Sequence, residues 1–492
     1  MTIVQTIIIK PMDEKKVILM RSILQSSATL FLAKAFIPAS YIVVTICIAR
    51  ILGLEAFGKF SIVYSYYAVL RMISFFGIDN FLIKEITNNR QKADVYLGNA
   101  YILGTQLSLA NMVIMNLVLM FVGYSWDIRV LGFFVSLELL PDSLIRYSES
   151  VFIAFVKNRY IFFTALARES FRLAAVIFAL AIYKSAISVV IAFLATSILG
   201  FILDYIIIEN KFFRQKIVIK KDIMRNMFCV SFILALISGF SNLFSALDII
   251  ILSKIKGEIP VALYSVAYKF ILASFFITDS VGTSFLPVMI NFYNESLGKF
   301  KRSSNLILKY FSLSMIAIIV FTFFFSDKLV LLIFGSQFAL AAGVLKVLIW
   351  SALFSGCAYF FARMLFVAGL QKYDLIAIAS ACLVNIVFNI PLTLAFGYYG
   401  TAVSAIIAAL YLCIVEFYFL RQKILKINLA EIFLKPLLAG AVLFITFFYL
   451  ARVNLYLGAL IAGLAYIFML FKFKIIRKEE FNLIAQAIWG KR

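Results

Sequence analysis

The chain alternates between long apolar stretches and short polar ones. Apolar stretches lie near residues 28–49, 61–81, 98–120, 130–154, 162–183, 186–208, 228–253, 261–286, 303–325, 340–366, 375–394, 400–420, 436–451 and 455–472. Most are close to the roughly 20 residues with which a helix crosses the hydrocarbon core. Residues 95–126 contain no Asp, Glu, Lys or Arg, and neither does the 41-residue run 375–415. The second run is too long for one span, and Gly397-Tyr398-Tyr399-Gly400 supplies a turn in its middle. Residues 328–364 read as one span or two. The pattern predicts an all-α polytopic membrane protein with about fourteen transmembrane helices.

Composition leaves no soluble alternative. Of 492 residues, 64% are apolar and 14% charged, against roughly 25% charged in an average soluble domain. Lys10, Asp13, Glu14, Lys15 and Lys16 interrupt any early apolar run, and no small-residue cleavage site follows. The first span is therefore expected to act as an uncleaved insertion signal. Histidine is absent and the five cysteines are scattered without CxxC spacing, so no metal site, cofactor or Cys/His nucleophile is expected. Cys47, Cys229, Cys357, Cys382 and Cys413 read as small packing residues.

The net charge of +22 would suit nucleic acid, but its distribution does not. With the N-terminus inside, the predicted cytoplasmic segments hold 29 Lys and Arg and the opposite loops 8. That bias places both termini in the cytoplasm and sets the basic residues against anionic membrane lipid, with no role for nucleic acid. The largest basic segment, residues 211–227, reads as a cytoplasmic connector.

A repeat supports that division. Arg50-Ile51-Leu52-Gly53, followed by Phe60 and Tyr64, returns 204 residues later as Lys254-Ile255-Lys256-Gly257, followed by Tyr264 and Tyr268. Both copies follow the first span of a half, so the repeat is parallel, about an axis along the membrane normal. The expected organisation is an N-terminal lobe over 1–210, the connector 211–227, a C-terminal lobe over 228–421, and two further spans with a basic cytoplasmic tail over 422–492. Each lobe has six helices.

The segment Gly53-Leu54-Glu55-Ala56-Phe57-Gly58-Lys59 nearly spells a phosphate-binding P-loop, but Phe60 stands where Ser or Thr must ligate magnesium, and no strand precedes it. In-span charges are more informative. Each costs roughly 2.5–3.5 kcal/mol at mid-membrane, so such residues face a cavity or a partner. Glu138, Asp142, Arg146 and Glu149 share one helical face, with Pro141 beside them expected to kink the helix. Lys34, Arg71, Arg172, Lys269 and Arg363 add positive charge, and Asp248 and Asp279 negative charge. The functional reading is a partly cationic cavity. Lys34, Arg71, Arg146, Arg172, Lys269 and Arg363 would hold an anionic head group such as phosphate. Glu138, Asp142, Glu149, Asp248 and Asp279 would take up and release protons or sodium. The structural alternative is charge pairing, as between Asp142 and Arg146. Asp79, Lys309 and Arg168, near span ends, are expected to snorkel. The 53 Phe and 24 Tyr read mainly as packing and interfacial belts.

Several segments together resemble bacterial polysaccharide transporters. These are Arg50-Ile-Leu-Gly-Leu-Glu-Ala-Phe-Gly-Lys-Phe-Ser, Gly77-Ile-Asp-Asn, Asp248-Ile-Ile-Ile-Leu-Ser, Leu263-Tyr-Ser-Val-Ala-Tyr-Lys, Phe285-Leu-Pro-Val, Phe334-Gly-Ser-Gln-Phe and Gly397-Tyr-Tyr-Gly-Thr-Ala. Over nearly its whole length the chain resembles the O-antigen and polysaccharide flippase branch of the multidrug/oligosaccharidyl-lipid/polysaccharide exporter superfamily. The resemblance implies transfer of undecaprenyl-diphosphate-linked oligosaccharide to the periplasmic leaflet of a bacterial inner membrane, by alternating access coupled to an ion gradient. A polysaccharide polymerase and a chain-length regulator are further candidate partners. Two alternatives stay open: a multidrug or organic-cation antiporter of the same superfamily, and a membrane-embedded polymerase or glycosyltransferase. The first would need an acidic cavity, the second a substantial outer loop, whereas the largest outer loop runs from Arg50 to Phe60.

Overall fold

A computed structural model describes the backbone of residues 14–215, 218–424 and 434–472, and side chains from residue 36 onward apart from residues 284 and 287. The side chain of Lys34 and the expected C-terminal tail beyond residue 472 lie outside the described residues. Sixteen α-helices account for the described chain: α1 Glu14–Phe75, α2 Ile78–Asn88, α3 Ala93–Phe121, α4 Trp126–Ser136, α5 Leu139–Ala154, α6 Arg159–Ile182, α7 Ala186–Lys211, α8 Lys221–Lys256, α9 Glu258–Glu295, α10 Leu297–Phe334, α11 Ala341–Leu348, α12 Ser351–Val367, α13 Gln371–Phe396, α14 Tyr398–Lys423, α15 Lys435–Leu450 and α16 Leu455–Lys472.

Every apolar stretch of the sequence is helical. Among the described residues nine helices are long and apolar enough to cross a membrane, ten if the pair α11–α12, bent by 42°, forms one span. The α4–α5 segment and α6 carry the charges that separate them from this set, and α15 is short. The chain divides into two compact units, Met1–Asn242 and Leu243–Arg492.

The turns record the repeat. Gly53, inside α1, has φ 80° and ψ −176°; Gly257, 204 residues on, has φ 80° and ψ −164°. This left-handed conformation favours glycine, so the matching motif marks a matching turn. Gly123 and Gly335, 212 residues apart, both have positive φ. Positive φ also recurs near 156 and 369, and near 184 and 397, although Val156 and Lys184 stand where the second copy has glycine.

The sequence predicts a single span over 130–154, kinked beside Pro141. The structure instead breaks it at Leu137 and Glu138, where backbone N–H groups turn to i−3 carbonyls. Pro141 donates no hydrogen bond, and its ring excludes the carbonyl four residues back, that of Leu137. The second copy breaks 212 residues later, at Ile349 and Trp350, with Leu353 in place of the proline. The break therefore belongs to the repeat, and Pro141 fits it rather than creating it.

In unit 1 the segment after α7 is fastened to α3 by one side chain. The fully buried Asn99 donates to the carbonyl of Val218 at 2.9 Å and accepts from the N–H of Lys220 at 2.8 Å, as a neighbouring strand would.

Candidate functional site

In unit 1, α1, α2, α5, α6 and α7 bring charged residues together. Tyr64, Tyr67 and Arg71 follow one another at helical spacing on the second half of α1. Asp142, from α5, is the hub. It pairs with Arg71 at 3.0 Å and accepts from the Tyr67 hydroxyl at 2.5 Å and from Ser197 at 3.3 Å. Glu138 accepts from Tyr64 at 2.7 Å. Arg146 does not pair with Asp142, the alternative raised by the sequence. It turns instead to Asp79 of α2, with Nη2 at 2.7 Å and Nε at 2.9 Å.

A second, drier set adjoins it. Arg172 donates through Nη1 to Glu169 at 3.1 Å and through Nη2 to Ser197 at 3.1 Å. Arg168 stands 3.4 Å from Glu169 and 3.7 Å from Glu149. Gly200 makes room for it, since a Cβ there would lie 2.7 Å from Arg168 Cδ. Asp79 and Arg168 are buried in ion pairs, so the expectation that they snorkel is corrected: each is held by a partner of opposite charge. The whole set has Arg71, Arg146, Arg168 and Arg172 against Asp79, Glu138, Asp142, Glu149, Glu169 and Asp204. Acid outnumbers base.

Exposure separates these residues. Arg71 and Arg146 are 41% and 49% exposed, while Glu169 is 1% and Arg168 8% exposed. The open guanidiniums are the two that retain surface for a ligand.

Unit 2 carries different chemistry. Asp248 on α8 is buried and has uncharged partners. Tyr264 of α9 donates to it at 2.5 Å, Asn385 of α13 at 3.0 Å and Asn389 at 2.8 Å. Asn389 also accepts from Thr393 at 2.6 Å, and the Thr393 and Thr401 hydroxyls are 2.7 Å apart. Asp279, Tyr359 and Arg363 form a separate cluster. Tyr359 donates to Asp279 at 2.6 Å, Arg363 donates to Tyr359 at 2.8 Å, and Arg363 lies 3.6 Å from Asp279. Lys269 is half-buried on α9.

The structure thus brings Arg71, Glu138, Asp142, Arg146, Glu149 and Arg172 together in unit 1, and Asp279 and Arg363 in unit 2, with Asp248 apart from the latter pair. Sequence reasoning missed Tyr64, Tyr67, Ser197, Tyr264, Asn385 and Asn389. A search for charges passes over neutral donors, although Asn385 and Asn389, four apart in an apolar run, are a signal of their own.

Residues 23–293, more than half of the chain, match the model of a family described as polysaccharide biosynthesis protein. The chain belongs to this family. Residues 233–390 of this polysaccharide biosynthesis family member also match the MatE family. It is 24% identical over 295 residues to an uncharacterized membrane protein of Methanocaldococcus jannaschii, covering 57% of this chain and 69% of that one. Its fold is similar to that of a lipid II flippase MurJ in an inward closed conformation (TM-score 0.74, 18% identity, 91% of this chain and 99% of that one). It is also similar to an inward-facing multidrug resistance MATE transporter (TM-score 0.66, 14% identity, 80% and 98%). A transporter of the same superfamily from Pyrococcus furiosus has a TM-score of 0.61 at 13% identity, over 82% and 95% of the two chains. The family member is a multi-pass membrane protein with the transporter fold of this superfamily.

Proposed function

We propose that the protein is a flippase that moves undecaprenyl-diphosphate-linked oligosaccharide from the cytoplasmic to the periplasmic leaflet of a bacterial inner membrane, by alternating access coupled to an ion gradient. The observation that carries this reading is the pair of open guanidiniums, Arg71 and Arg146, within membrane helices. An exposed arginine at that depth stands in water rather than hydrocarbon. Its fork suits a diphosphate, with Asp142 and Asp79 fixing its direction. Family membership supports a polysaccharide cargo, and the likeness to a lipid II flippase supports a lipid-linked one. The lipid tail stays in the bilayer while the sugars cross in water.

Asp248 is the residue assigned to ion coupling in unit 2. Its cage aims three donors, the side-chain amides of Asn385 and Asn389 and the Tyr264 hydroxyl, at one negative charge, and in this reading that carboxylate takes up and releases a proton or a monovalent cation during the cycle. In this reading the lobes are 1–210 and 228–421, joined by the basic connector 211–227, and both termini are cytoplasmic.

The test is deletion of the gene, followed by locating the lipid-linked repeat units. Their accumulation in the cytoplasmic leaflet with loss of surface polysaccharide, restored by the wild-type gene but not by Arg146→Ala, is the expected result. The acid surplus of unit 1 favours a second reading, an exporter of organic cations. Unchanged surface polysaccharide with new sensitivity to cationic drugs would establish that reading in place of the first.

A further inference from the structure

Two carboxyls to which the reading above gives no role share a feature. Helices α7 and α14 are each 26 residues long and begin 212 residues apart, at Ala186 and Tyr398. Asp204 and Glu416 are also 212 residues apart, so they occupy the same register of the same repeated helix. Asp204 is 0% and Glu416 2% exposed. Both oxygens of Asp204 and Oε2 of Glu416 are buried without a hydrogen-bond partner.

The surroundings of each leave negative charge uncompensated. Arg168 and Thr164 of α6, Glu149 of α5 and Tyr101 of α3 face Asp204. Glu149, Glu169 and Asp204 thus share two guanidiniums, those of Arg168 and Arg172. Asp374 of α13 faces Glu416 within hydrogen-bonding reach, Cys413 lies on the same helix, and Ala362 of α12 presents its backbone. The nearby Arg363 is engaged with Asp279. Two carboxyls that hydrogen-bond to one another need a proton between them, because an ionised carboxylate has no hydrogen to donate. An uncompensated charge at such burial is costly, and a proton removes it. Asp248 shows the opposite arrangement, since three donors converge on it and stabilise the charged form.

We propose that Asp204 and Glu416 are proton-binding carboxyls, one in each unit at the same register of the repeat, and that each site holds a proton in the state seen here. The Glu416 proton is shared with Asp374. Release of these protons in another state would couple transport to a proton gradient. That role rests on the transport reading, but the occupancy does not.

The test uses the full-length protein in phospholipid vesicles without cargo, so its failure is distinct from failure of the flippase reading. Infrared spectroscopy reads the carbonyl stretch of protonated carboxylic acids apart from the amide bands. The wild-type protein is expected to show this stretch at neutral pH. Asp204→Asn and Glu416→Gln, which mimic the neutral acids, should each remove part of it, and the double variant should remove both parts. An unchanged stretch in both single variants overturns the proposal. Where a variant does not accumulate, the wild-type protein is treated with a hydrophobic carbodiimide, which attacks protonated carboxyls, and its peptides are weighed. Modification of Asp204 and of Glu416 or Asp374, with Asp248 spared, supports the proposal; modification of Asp248 alone overturns it.

Discussion

Units 1 and 2 repeat the same helices and turns but fill them with opposite chemistry. In unit 1 four arginines and six carboxyls interlock across five helices. In unit 2 the buried Asp248 rests among amides and hydroxyls, and the ion pair of Asp279 with Arg363 is small and partly open. Tyr147 and Tyr359 make the contrast local. They lie 212 residues apart, and each fills space left by a glycine, Gly104 or Gly282. Tyr147 donates to the backbone carbonyl of Ser74 at 2.9 Å, whereas Tyr359 donates to the carboxylate of Asp279 at 2.6 Å. The helical scaffold constrains where a polar side chain can sit, and leaves its charge free to diverge.

If this contrast is energetic as well as geometric, the largest effect belongs to Glu169→Ala. Removing the 1%-exposed partner of Arg168 and Arg172 takes the paired carboxylate from Arg172 and leaves Arg168 with Glu149 alone at 3.7 Å, and stability should fall by about 3–5 kcal/mol, read by thermal unfolding in detergent. A loss no greater than that of a surface variant would break the comparison. Asp248→Asn should cost less, about 1–3 kcal/mol, because the shape of the cage survives while its charge-assisted hydrogen bonds weaken. Its larger consequence is loss of ion-dependent transport in reconstituted vesicles, and retention of that dependence would remove Asp248 from coupling.

Arg146→Ala removes the counter-ion of the buried Asp79, so it should cost some stability, but less than Glu169→Ala because the guanidinium itself is 49% exposed and water reaches it; transport should collapse. Arg146→Lys sharpens the point. Recovery of transport would show that charge suffices, and failure that the guanidinium fork is required. The smallest effects are expected at surface pairs, one in each unit. Lys299→Ala removes an i,i+4 contact to Glu295 and should cost roughly 0.3–0.5 kcal/mol, while Lys59→Ala removes contacts to both Glu55 and Asp127 and should cost somewhat more, still about 1 kcal/mol or less.

Helical architecture was legible because apolar length carries it, and Gly53 with Gly257 was legible because a left-handed turn admits few residues. The break at Leu137 was legible only in part. Pro141 hints at it, but its copy at Ile349 has no proline to betray it. At the candidate site, charges such as Arg71 and Asp142 stand out against an apolar background, while their partners do not. Tyr67 and Tyr264 look like belt residues until the helix facing them is known, because burial and hydrogen bonding depend on contacts far away in sequence. Asp204 and Glu416 could have been found as single acids in otherwise apolar spans, had the two halves been aligned at the spacing of their later helices.

The charges on α6 bear on how the protein is made. Arg168, Glu169 and Arg172 fall within five successive positions, and α6 is not apolar enough to count among the self-sufficient spans. A helix threaded alone from the ribosome into lipid would carry these groups bare, at roughly 2.5–3.5 kcal/mol for each near the centre. Glu149 on the preceding helix and Ser197 on the following one are therefore escorts during biogenesis. The α5–α6–α7 segment should leave the insertion machinery as one packed parcel, and a stop placed after α6 should strand a nascent chain that quality control removes.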